Sequence, residues 1–219
     1  MQEHLIGGQL IYPFMGPDWT AAPARKAELL ALTYNINARP NHVLALSIDL
    51  GGLLVLAGNE AGLAAFEAGV PPVEGRFPMR LGNHAAFHTT LQAPIAALGR
   101  AALPETLFDR PQLPLIDGRG HVWWPGAATR TSLRGYTLGH QVTETYDITA
   151  AIRSAAREFA PDLFIIAGPG STMGGAVAQS LILANWQGLA SKADFQARQT
   201  ANPIVISMGL PEQRALVTD

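Results

Sequence analysis

Between residues 9 and 81, the 219-residue chain switches between short apolar runs and helical periodicity in an order that few folds accommodate. Residues 9–14 form an apolar run ended by Pro13 and Gly16, and residues 21–32 have helix-forming composition. Residues 42–49, with Val43, Leu44, Leu46 and Ile48, read as a strand. Gly51-Gly52 reads as a turn and residues 53–57 as the returning strand, which makes a hairpin. Asn59 is placed to cap a helix whose Leu63, Phe66 and Val70 share one face, and residues 76–81 supply the last strand. The order β-α-β-β-α-β predicts the split βαβ, ferredoxin-like arrangement over residues 7–81. Such a unit hosts many activities, so by itself it says little about function.

From residue 82 the pattern changes to longer helices alternating with short apolar strands, which predicts part of a parallel α/β layer over residues 82–219. Thr89 or Thr90 is expected to cap a helix carrying Leu91, Ile95 and Leu98. Residues 113–116 read as a strand closed by Asp117-Gly118, and Thr131 or Ser132 as the cap of a segment running to Gln141. Asp147 is expected to cap a helix with Ile148, Ile152, Ala155 and Phe159 on one stripe. Residues 163–167 form a fully apolar strand feeding Gly168-Pro169-Gly170, and Ser171 or Thr172 opens the next helix. Two or three strands are too few for a doubly wound sheet, so this second unit reads as incomplete.

Composition narrows the chemistry. The chain has no cysteine, which removes disulfide frameworks, iron–sulfur clusters, thiolate nucleophiles and sulfur-ligated zinc sites. A net charge of −2 gives no electrostatic reason to expect nucleic acid, and no apolar run is long enough to span a bilayer. The first residues lack a basic segment followed by an apolar one, so a cytoplasmic protein is expected. Charge is nevertheless uneven. Residues 76–134 carry seven arginines against three acids, and this stretch could attract an acidic protein or a phosphate unless its arginines are simply solvated.

Among the histidines, His88 is the best candidate base: it follows a strand and precedes a predicted helix start, where the helix N-terminus disfavours imidazolium. His84, four residues earlier, raises the possibility of a metal pair, but the segment reads as strand and loop and offers no third ligand. No serine lies in G-x-S-x-G, so an exposed nucleophilic hydroxyl has no candidate. Ser171 comes closest and reads first as a helix cap. The Gly-Pro-Gly turn before it could hold an anion, but it is neither G-x-G-x-x-G nor a P-loop. Trp123-Trp124 reads as a packing feature.

The run from Asn83 through Leu91, NHAAFHTTL with Pro94 after it, resembles the G-A-F-H-S-x-L-M-x-P segment of malonyl-CoA:acyl carrier protein transacylases. Residues 115–118 resemble that family's "PVVSNVTG" strand, residues 138–142 its "L-x-x-Q" segment, and residues 164–175 its "FVEVGPGxxLxGL" run. Met1-Gln2-Glu3 resembles the "MQEA" that follows the family's nucleophile region. The resemblance covers residues 1 to about 185 and implies an α/β-hydrolase-like parallel sheet carrying an inserted ferredoxin-like subdomain. It also implies that the serine nucleophile and the arginine that grips the malonyl carboxylate lie upstream of the position matched by Met1. The chain is then expected to be the C-terminal portion of a larger acyltransferase.

The resemblance further implies a two-step acyl transfer. A serine attacks malonyl-CoA with His88 as base, and the malonyl-serine is then attacked by the phosphopantetheine thiol of an acyl carrier protein, the expected partner. Gln141 matches the glutamine whose neighbourhood orients the histidine, and Phe87 the substrate-facing position where, in related polyketide acyltransferases, a bulky ring accompanies malonyl rather than methylmalonyl units. No bound cofactor and no metal are implied. Ala85 departs from the usual glycine, and SIDLGGLLVLAG from Ser47 replaces the family's "N-x-N-S-P-x-Q-x-V-x-S-G" run. The tail beyond Asn185 has no assigned counterpart. A competing expectation is a module that keeps the scaffold, lacks the serine and only binds a carrier protein or partner. A weaker one is a ligand-binding regulatory unit confined to residues 1–81.

Overall fold

In the computed structural model, which describes residues 6–168 and 170–218, the first stretch forms β1 (Gly8–Pro13), α1 (Pro23–Asn37), β2 (Leu44–Leu50), β3 (Leu53–Gly58), α2 (Glu60–Gly69) and β4 (Met79–Leu81). The boundaries have local causes. Pro23 opens α1, where its missing N–H leaves no helical bond unmade. The Asn59 side chain accepts from Gly62 N at 2.9 Å and starts α2. Gly51 turns the β2–β3 hairpin at φ +63°, a region open to a residue without Cβ.

These strands lie in the order β4-β1-β3-β2 with every neighbouring pair antiparallel. The register sets Leu10 opposite Leu56 and Tyr12 opposite Leu54, all fully buried, against Leu29 and Ile36 of α1 and Leu63 and Phe66 of α2. The Tyr12 and Phe66 rings meet edge to face at 5.7 Å. One irregularity interrupts the ladder: pairing jumps from Leu46 to Ile48, leaving Ser47 as a bulge residue that is fully buried.

The second stretch contributes α3 (Ala93–Ala102), β5 (Leu115–Ile116), β6 (Val122–Trp123), α4 (Arg130–Gly135), α5 (Gln141–Thr143), β7 (Tyr146–Asp147), α6 (Ile148–Phe159), β8 (Phe164–Ile166), α7 (Met173–Leu183), α8 (Lys192–Ala201), β9 (Val205–Ser207) and α9 (Pro211–Arg214). β7 extends the first sheet by pairing parallel to β2, while β5–β6 is an antiparallel pair and β8–β9 a parallel one. Val177, Leu181 and Ile182 of α7 share one core with Leu54, Phe66, Ile204 and Val205. Gln179 accepts from Gly52 N at 3.0 Å and so ties α7 to the hairpin turn.

Several expectations are corrected. The helix after His88 begins at Ala93, because Pro94 fits only its first turn; a short 3-10 turn, Thr90–Gln92, precedes it. Thr89 caps nothing and donates its hydroxyl back to Ala86 O at 2.7 Å. Thr129, not Thr131 or Ser132, caps α4, with Ser132 completing a reciprocal capping box. Neither Ser171 nor Thr172 caps α7 with its side chain. Pro169 of the Gly-Pro-Gly turn lies outside the described residues. The apolar run expected as a strand over 163–167 forms β8 over only Phe164–Ile166, and its Ile165 is 53% exposed. Asp147 does cap α6, accepting from Ala150 N at 2.7 Å.

Candidate active site

His88 sits between the first sheet and the α4–α5 segment, with φ of +56°, the left-handed region that histidine enters more readily than most side chains but still at a cost. Its backbone is fixed from two sides. The Ser47 hydroxyl, aimed by the bulge in β2, donates to the carbonyl of Phe87 at 2.8 Å, and Thr89 closes a tight turn onto Ala86. Behind Ser47, Gln9 Nε2 donates to its oxygen at 2.7 Å, and Gln9 Oε1 meets His84 Nδ1 at 2.6 Å. This chain of polar contacts joins β1 and β2 to the His88 loop.

The imidazole itself is oriented by α5. His88 Nδ1 lies 2.6 Å from the main-chain carbonyl of Gln141. A carbonyl can only accept, so Nδ1 carries a proton and the neutral ring keeps its lone pair on Nε2. This contact holds the ring's tautomer and angle without adding a negative charge. The contact is made by its backbone: the main-chain carbonyl of Gln141, not its side chain, meets the ring. The carbonyl is available because the helix changes pitch there: α4 runs through a π-helical turn, Tyr136–His140, into the three residues of α5. Arg100 holds that turn by donating to Leu138 O at 3.0 Å.

Tyr146 of β7 places its ring 5.4 Å from that of His88 at a 37° tilt, giving the imidazole an aromatic wall. Burial and the charge of Asp117 raise the Tyr146 hydroxyl above the usual phenol range, so it remains a neutral group near neutral pH. A cavity of about 180 Å³ opens on His88, bordered by Phe87, Thr137, Gln141 and Val142. A second, of about 190 Å³, shares Thr137 and Gln141 and is walled by Leu115, Trp123, Tyr136 and Tyr146. Phe87 is 37% exposed, and its ring meets that of His84 in a T-shaped pair with centroids 6.0 Å apart. His88, Phe87 and Gln141, singled out from the sequence, therefore meet at one cavity. His84 does not join them as a ligand, being engaged with Gln9. Among the described residues no group of three or more histidine, aspartate or glutamate side chains is placed to hold a metal ion.

Asp117 organises the floor of the second cavity. It accepts from the Arg119 side chain, the amides of Arg119 and His121, and Trp123 Nε1 at 3.0 Å. Burial alone would raise its pKa; the hydrogen bonds from Arg119 and the two amides outweigh it and hold the carboxyl below its ordinary value. Tyr136 accepts from Gly118 N at 2.8 Å just beside it. Tyr146, Tyr136, Thr137 and Ser47 were not foreseen as site residues. A buried serine and glutamine inside apolar strands were the available signal, since polar groups in such positions need partners.

The arginine-rich stretch proves largely committed to the chain itself. Arg80 pairs with Glu60 and Glu67, Arg76 with Glu74, Arg119 with Asp117 and Arg130 with Asp109, while Arg100 and Arg134 donate to main-chain carbonyls. Among the described residues no helix is long and apolar enough to cross a membrane.

Solved acyltransferases share this fold. A malonyl-CoA:acyl carrier protein transacylase from Xanthomonas oryzae matches with a TM-score of 0.67 at 16% identity, over 96% of this chain and 56% of its own. The corresponding Synechocystis enzyme matches with a TM-score of 0.68 at 14% identity, over 99% of this chain and 60% of its own. The acyltransferase domain from the second module of the salinomycin polyketide synthase gives 0.63 at 16% identity, over 95% and 40%. No protein-family model and no curated protein sequence matches the chain. It has the α/β acyltransferase fold, and it spans 56 to 60% of the length of these two transacylase structures.

Proposed function

We propose that the chain is the histidine-bearing part of an acyltransferase that moves malonyl groups from malonyl-CoA to the phosphopantetheine thiol of an acyl carrier protein, in fatty acid or polyketide synthesis. The observation that carries this reading is the bond from His88 Nδ1 to the Gln141 carbonyl, which leaves Nε2 as a proton acceptor at the edge of a cavity. The nucleophile is a hydroxyl on a segment that joins these residues. As that hydroxyl attacks the malonyl thioester carbonyl, His88 Nε2 takes its proton; the tetrahedral adduct then expels the CoA thiolate, which recovers the proton from His88. In the second half the carrier-protein thiol gives its proton to His88, attacks the malonyl ester, and the hydroxyl is regenerated. Phe87 borders the acyl position, and its ring would crowd an α-methyl substituent, a modest source of selectivity.

The test joins the chain to its upstream coding segment, or to a separately encoded segment bearing a G-x-S-x-G serine, and follows transfer from malonyl-CoA to an acyl carrier protein. The assembled enzyme is expected to gain one malonyl mass and pass it on. His88→Ala should slow transfer by at least about a hundredfold, the range of a positioned general base. A loss below about tenfold, or binding of carrier protein without any acyl-enzyme, would favour a non-catalytic module instead.

A further inference from the structure

Away from His88, where β9 meets the start of α7, lies a cavity of about 150 Å³ that the acyl-transfer reading does not use. Strand alternation puts Val205 and Ser207 on the same side of β9, and both border this space. Ser207 is 3% exposed, and its hydroxyl is the one buried side-chain polar atom with no hydrogen-bond partner among the described residues. A buried hydroxyl without a partner is a standing cost that an occupant of the cavity would remove.

The rest of the lining says what the occupant is. The 11-residue α7 begins without a side-chain cap, since its N-cap Thr172 makes no such bond, and no acid lies in its first turn. Its first amides, which no helix carbonyl can accept from, stand without that cap at the positive end of the helix dipole. Gly174 and Gly175 border the cavity, and a Cβ at either would meet nothing within 4 Å, so the turn can be approached at its backbone. No charged side chain lines the cavity; the cation Lys192 lies 5.2 Å above the Trp19 ring. Trp19 and Phe195 supply two aromatic walls with centroids 6.2 Å apart. Gln213 spends its carbonyl oxygen on Ser207 N at 2.8 Å, which leaves its amide nitrogen as a further donor. A space of this size accommodates a single six-membered ring.

We propose that this cavity binds a small aromatic carboxylate, its ring against Trp19 and Phe195 and its carboxylate received by the Ser207 hydroxyl and the opening amides of α7. The donors select an anion over its neutral amide, and the aromatic walls select a ring over a bare inorganic anion.

Titration of the 219-residue chain with benzoate, followed by amide and indole NMR shifts, tests this directly, with benzamide and inorganic phosphate as comparators. Benzoate is expected to bind saturably, with a dissociation constant on the order of 1 mM. It should shift the Trp19 indole and the first-turn amides of α7, with benzamide at least about fivefold weaker. Ser207→Ala should weaken benzoate by about fivefold or more while leaving the thermal midpoint unchanged or higher, because the hydroxyl it removes has no partner among the described residues. Gly175→Val, which places a side chain in the open space, should abolish binding and reports independently of Ser207. Equal binding of benzamide, an unchanged affinity in Ser207→Ala, full displacement of benzoate by an equal concentration of phosphate, or no saturable shift would each overturn the proposal.

Discussion

The sheet of β1 to β4 is built on three strands of six or seven residues, joined by antiparallel ladders that break only at the Ser47 bulge, with the short β4 at its edge, whereas β5 to β9 are two or three residues long. In the first region, away from that bulge, backbone pairing and alternation decide which side chains enter the core: once Leu10 faces Leu56, Tyr12 must face Leu54 and both must be buried. In the second, ladders are too short to fix anything alone. Asp117 receives four groups, Asp147 caps α6, and the side-chain oxygen of Gln199 accepts from both Ile204 and Val205 amides. One region is specified by apolar packing on a regular frame, the other by polar side chains that replace missing backbone partners. His88 stands at their junction, its loop held by Ser47 from the first and its ring by Gln141 from the second.

That contrast is open to direct attack. Phe66→Ala, in the packed frame, should cost about 3–5 kcal/mol in urea unfolding, the price of a cavity under a regular sheet. A cost below about 1.5 kcal/mol would mean that the first region collapses around the loss and is not the rigid half. Asp117→Asn, in the polar half, keeps the volume but turns an amide toward the donors that the carboxylate satisfied. It should cost about 1–3 kcal/mol at neutral pH. The sign of its pH dependence follows from the lowered pKa of Asp117. A carboxyl with a depressed folded pKa contributes stability above its unfolded value, near about 4, and loses it as pH falls through the folded value. The gap between wild type and Asp117→Asn should therefore narrow below about pH 4, and a gap that widens there would contradict the network.

Much of the first region was legible in the sequence. The element order, the Gly51-Gly52 hairpin and the Asn59 cap depend on residues close together in the chain, and each appears where the spacing puts it. The fold resemblance was also legible, because the motif around His88 and the later segments keep their order along the chain. Less legible were features that depend on distant partners. Nothing local shows that Thr89 turns back to Ala86, that Pro94 delays the helix to Ala93, or that a π-helical turn presents the Gln141 carbonyl. The Ser47 bulge was hidden for the same reason: its partners, Gln9 and Phe87, are 38 and 40 residues away.

The central claim is that the Gln141 carbonyl fixes His88 with its proton on Nδ1 and its lone pair on Nε2. Long-range ¹H–¹⁵N NMR correlation of the His88 ring above its titration range reads this without any substrate or nucleophile. The account predicts a protonated Nδ1 and an unprotonated Nε2. A ring protonated on Nε2, or an even mixture of tautomers, would contradict it, because the atom assigned to accept the nucleophile's proton would already hold one.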